Sequence, residues 1–78
     1  MYNFIEIGVL FDDNSNWEKY HLSFKEPVAE NNRMAVTQGF FEKIKGGENL
    51  SGCDPKGSFF NINLKKTKSF TVKLLENL

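Results

Sequence analysis

The chain has 78 residues, with ten Lys and Arg against ten Asp and Glu, for a formal net charge of zero. That length fits a single domain, 1–78, and 40% apolar with 26% charged residues excludes a disordered chain. Neutrality excludes a protein held to nucleic acid by phosphate contacts alone, and a lone Cys53 excludes an intrachain disulfide and fits a reducing, cytoplasmic setting.

Met1 leads directly into a strand-like stretch, so neither a signal peptide nor a membrane span is expected. Ile5, Ile7, Val9 and Phe11 alternate with Phe4, Glu6, Gly8 and Leu10. Period two with β-branched residues predicts a strand. Residues 12–16 are a dense polar turn, because short polar side chains bond to their own backbone. Tyr20, Leu22 and Phe24 then alternate with Lys19, His21, Ser23 and Lys25, predicting an antiparallel hairpin with the first strand. Pro27 lacks an N–H and should end the pairing.

Asn31 and Asn32 suit the entry to a helix. Val36, Phe40 and Ile44 recur at four-residue spacing with Phe41 beside them, predicting an amphipathic helix over 33–45. Lys43 and Lys45 suit its negative end, and Gly46 and Gly47 stop it. Gly39 inside the helix costs about 1 kcal/mol against Ala, which suggests a close approach of helix to sheet.

Residues 46–58 read as a Gly-rich loop, with a turn at Asp54, Pro55, Lys56 and Gly57. Phe60, Ile62 and Leu64, then Phe70, Val72 and Leu74, give two further alternating stretches. They predict a second hairpin whose tip carries Lys65, Lys66 and Lys68. The expected fold is α+β: a four-stranded antiparallel sheet with one helix on one face, in ββαββ order.

No enzyme motif emerges. Asp12, Asn14, Asn16 and Glu18 have the alternation of a calcium loop, but Trp17 stands where its Gly belongs and Ser23 where its bidentate Glu belongs. The Gly46–Gly52 stretch lacks the Lys-Ser/Thr of a phosphate loop and follows a helix rather than opening one. His21 and Cys53 are single residues without a supporting motif. No catalytic residue, cofactor or metal is expected.

One helix covers one face of a small sheet, so the other face should carry exposed apolar residues. The candidate partner-binding residues are Tyr2, Phe4, Leu10, Phe59, Asn61, Asn63, Lys65, Lys66, Lys68 and Lys73. Aromatic anchors within a polar rim suit a protein interface, so a non-enzymatic adaptor or stoichiometric inhibitor is expected, bound to another protein or to itself as a homodimer. Small chains of this type are often accessory or anti-defence factors of phages and mobile elements, an analogy of kind alone. The alternative is single-stranded nucleic acid stacked on the sheet aromatics and held by the 65–68 lysines. The charge is split: residues 1–54 carry nine acids and five bases, residues 55–78 five Lys and one Glu.

Overall fold

The computed structural model describes residues 1–13, 15–47 and 49–78. It is α+β, with strands β1 (Tyr2–Phe11), β2 (Glu18–Val28), β3 (Asn49–Cys53), β4 (Phe59–Asn63) and β5 (Thr67–Leu75) and one α-helix, α1 (Arg33–Lys45), among those residues. The strands form two antiparallel sheets: a three-stranded sheet in the order β2-β1-β5, and a separate β3-β4 hairpin. The expected four-stranded sheet is therefore corrected.

β1 is the central strand because its inward residues are the purest apolar run in the chain. Ile5, Ile7 and Val9 are fully buried. Each contributes roughly 1.5–3 kcal/mol relative to exposure. They face Leu22, Tyr20 and Glu18 on β2, and Leu74, Val72 and Phe70 on β5. The expected antiparallel first hairpin is present. Pro27 does not end it, however. Pairing resumes at Tyr2 opposite Val28 after a jump from Phe4 opposite Ser23, so Pro27 falls in a bulge that needs no ladder N–H there.

α1 has the predicted bounds and stops at Gly46, whose N–H reaches the Glu42 carbonyl. Asn32 is its N-cap but makes no side-chain cap bond, and a short 3-10 turn, Glu30–Asn32, leads into it. The helix lies on the β5 side of the inner face. Its Phe41 ring sits 4.9 Å from Phe70, and its Phe40 ring meets Phe24 edge-on at 6.3 Å. Ile44 alone on the helix is buried. Phe41 remains 40% exposed rather than joining the core as its spacing suggested.

A single helix about 10 Å across, set toward β5, reaches β2 only through Phe40 on Phe24 and leaves the rest of the β2 side open. The β3-β4 hairpin shields it instead. Leu50 and Ile62 pair and are buried, and Phe60 packs its ring 5.1 Å from Tyr20. Gly52, beside Phe60, permits this approach: a Cβ there would stand 2.7 Å from Leu22 Cδ2. The 46–58 loop thus contains a strand, while Glu48 lies outside the described residues. The expected turn at 54–57 is present: Gly57 donates to the Asp54 carbonyl, and Asp54 Oδ1 accepts from the N–H groups of Lys56 and Ser58.

The predicted second hairpin is corrected too. β4 and β5 belong to different sheets. Leu64–Lys66 form a 3-10 turn, held by Asn63 Oδ1 accepting from the Lys65 N–H at 3.1 Å. That cap redirects the chain from the hairpin to the free side of β1, where Asp12 N–H bonds the Lys66 carbonyl. Thr67 pairs with Phe11 and Ser69 with Leu10, leaving Lys68 as an extra residue at a bulge.

Candidate functional site

The outward face of the three-stranded sheet follows from the same alternation. Phe4, Glu6, Gly8 and Leu10 of β1 point away from Ile5, Ile7 and Val9. They lie beside Ser23, His21 and Lys19 of β2, and beside Leu75, Lys73, Thr71 and Ser69 of β5. Neither α1 nor the paired strands β3 and β4 form a layer on this side, but Lys56 of the turn between those strands and Asn77 and Leu78 border it.

A polar cluster occupies its middle. The Glu6 carboxylate accepts from His21 Nε2 at 3.1 Å and lies 3.4 Å from Lys73 Nζ. Glu6 sits on the central strand, and its side chain is only 12% exposed. Burial pushes its carboxyl up, but the His21 hydrogen bond and the nearby Lys73 and Lys19 charges outweigh it and hold the group below the ordinary range.

Apolar groups flank this cluster. Trp17, 48% exposed, lies over Gly8, its Cε3 3.6 Å from where a Cβ would stand. Gly8 is a requirement of close approach, since that Cβ would also fall 2.7 Å from Thr71 Oγ1. Phe4, Leu10 and Leu75 are half-buried. A depression of about 330 Å³ opens between Glu6, His21, Lys56, Leu75, Asn77 and Leu78.

Of the residues expected to bind a partner, Phe4, Leu10 and Lys73 share this face. Tyr2 does not. The bulge in β2 lies between Tyr2 and Phe4, and Tyr2 turns to the start of α1. There its hydroxyl bonds the Glu30 carboxylate and its ring lies 5.9 Å from the Arg33 guanidinium carbon. The Glu30 hydrogen bond, reinforced by burial, pushes its phenol up. Phe59, Asn61 and Asn63 lie on the outward side of the β3-β4 hairpin, opposite Cys53, Ser51 and Asn49. Phe59 is 87% exposed, at the border of a depression shared with Lys19 and His21. Lys65 and Lys66 sit on the 3-10 turn and Lys68 at the β5 bulge. The ten residues therefore do not form one patch.

Trp17 was missed because it sits next to a turn, outside the strand alternation. Gly8 opposite a bulky aromatic is the signal that finds it. His21 and Cys53 share no hydrogen bond: Nε2 is taken by Glu6, and Cys53 Sγ lies 3.5 Å from the Asp54 carbonyl. Among the described residues no group of His, Cys, Asp and Glu is arranged to hold a metal, and no helix is long and apolar enough to cross a membrane. Asn14, part of the calcium-like alternation, lies outside the described residues.

Compared with protein families, curated proteins and solved structures, the chain matches none.

Proposed function

We propose that the protein is a small non-enzymatic binding module, an adaptor or stoichiometric inhibitor, that docks another protein on the outer face of β2-β1-β5. The observation that carries this is the outer side of the central strand: half-buried Phe4 and Leu10 of β1, with exposed Trp17 and half-buried Leu75, surround the Glu6–His21–Lys73 cluster, and neither α1 nor the paired strands β3 and β4 form a layer there. Aromatic anchors around a satisfied polar centre are the composition of a protein interface. Glu6 favours a protein over nucleic acid, because it sets a carboxylate at the middle of the face.

The test replaces Phe4 and Phe59 separately with Ser. With the fold intact by circular dichroism, Phe4→Ser should reduce capture of a protein from a lysate of the source organism, and Phe59→Ser should leave it unchanged. Capture unaffected by Phe4→Ser removes the outer face as the docking surface. Sedimentation of the purified chain separates a second copy from a foreign partner.

A second reading, single-stranded nucleic acid, is supported by Lys19 and Lys73 sharing a face with Trp17 and Phe4. It predicts salt-sensitive binding of an oligonucleotide with quenching of Trp17 fluorescence. No binding at low salt eliminates it.

A further inference from the structure

We propose that the free edge of β5, with the groove between it and α1, takes an extended acidic segment of a partner protein as a fourth strand. This goes beyond the outer-face reading and stands on different residues. Among the described residues β5 pairs only with β1, so the second side of a nine-residue strand presents backbone donors and acceptors free of a strand partner. The opposite edge of the sheet is closed to such pairing. β2 carries Pro27 within a bulge, and Asp54, Ser58 and Phe59 share a depression with Lys19 and His21 beside it. β5 contains no Pro, and its one irregularity is the bulge near its start.

Beside this edge Arg33, Met34 and Thr37 of α1 and Val72, Lys73 and Leu74 of β5 line a groove of about 340 Å³. Met34 is 77% exposed, an apolar side chain without cover. A strand added to β5 sends alternate side chains to opposite faces, so every second one enters the groove against Met34 and Val72.

Charge selects the occupant. Lys65, Lys66 and Lys68 fall on or just before β5 with no carboxylate paired to them among the described residues, Lys73 is already paired with Glu6, and residues 65–75 include no acid. The nearby carboxylates are committed: Glu6 to His21 and Lys73, Glu30 to Tyr2 and Arg33, and Glu76, next after β5, to the Met1 amino group. A second copy is disfavoured, because each β5 strand carries Lys68 and Lys73 and offers no acid of its own to face them across an antiparallel pair. An oligonucleotide lacks the peptide backbone that the edge would pair. The occupant is an extended peptide that alternates apolar residues with Asp or Glu.

The experiment uses the full chain, labelled for NMR, and a short blocked peptide alternating Asp with Val. Amide resonances of Thr67–Leu75 should shift and their hydrogen exchange should slow, and affinity should fall as salt is added. The same peptide with Lys in place of Asp should not bind. Met34→Glu, at an exposed position, should weaken binding roughly tenfold by setting a negative charge in the groove. Phe4→Ser should leave peptide affinity unchanged, which separates this edge from the outer face. Undisturbed β5 amides at low salt, perturbation centred on β2 or the outer face, or equal binding of the Lys peptide would each overturn the proposal.

Discussion

Glu6 and His21 meet at 3.1 Å across neighbouring strands, with Lys73 on the third strand 3.4 Å from the other carboxylate oxygen. One acid on the central strand thus draws in both flanking strands from the uncovered side. Its carboxyl is held below the ordinary value, so folding favours the ionised form. The resulting stability is fully present above the unfolded carboxylate range. It is lost as pH falls from about 4 through the lowered folded value. Glu6→Gln should cost roughly 1–2 kcal/mol at pH 7 and flatten the acid limb of the stability curve. Urea midpoints measured from pH 7 to pH 3 check both; parallel curves for the two proteins would remove Glu6 from the acid response.

Gly8→Ala should destabilise the protein by about 1–2 kcal/mol, because the new methyl falls 2.7 Å from Thr71 Oγ1. Most of the loss should return in the double variant with Thr71→Ala, which removes the opposing oxygen. A double-mutant cycle by urea denaturation measures the coupling. Additive losses would place the strain elsewhere.

Gly39→Ala should stabilise the protein by about 1 kcal/mol. Beyond its chain neighbours and the helix's own backbone, no atom lies within 4 Å of the added Cβ, and the residue lines an open groove of about 310 Å³ with Val36, Phe40 and Lys43. A rise in melting temperature is the readout. A fall would mean that Gly39 is in contact with something.

Phe60→Ala should cost roughly 2–3 kcal/mol, since the ring joins the β3-β4 hairpin to Tyr20 and fills the space beside Gly52. Near-ultraviolet circular dichroism should report the altered Tyr20 environment. A loss under about 0.5 kcal/mol, the range of ordinary surface substitutions, would show that the hairpin adds little to the core.

Local periodicity made much of this architecture legible. Ile5, Ile7 and Val9 announced the central strand, and the spacing of Val36, Phe40 and Ile44 gave α1 its bounds. Long-range choice was hidden. Phe60 and Ile62 alternate as well for a hairpin over the sheet as for a strand within it, so β4 could not be assigned to a layer. β3 escaped because Gly52 and Ser51 dilute its pattern to Leu50 alone, and Gly52 is there to admit Leu22. Gly39 misled, since a helical Gly fits close packing as well as an open surface. The outer face was legible at Phe4, Leu10 and Lys73, where alternation holds. It was not legible at Tyr2, where the β2 bulge breaks the count, nor at Phe59, whose strand lies in the other sheet.

The central position of β1 between a near neighbour in sequence and the last strand has a consequence for how the chain is made. During synthesis β1 and β2 can zip together early, but one flank of β1 stays bare until Thr67–Leu75 has left the ribosome. Until then a strand of Ile5, Ile7 and Val9 is half-dressed and sticky. The bare flank of β1 is therefore the surface most open to wrong pairing until β5 docks.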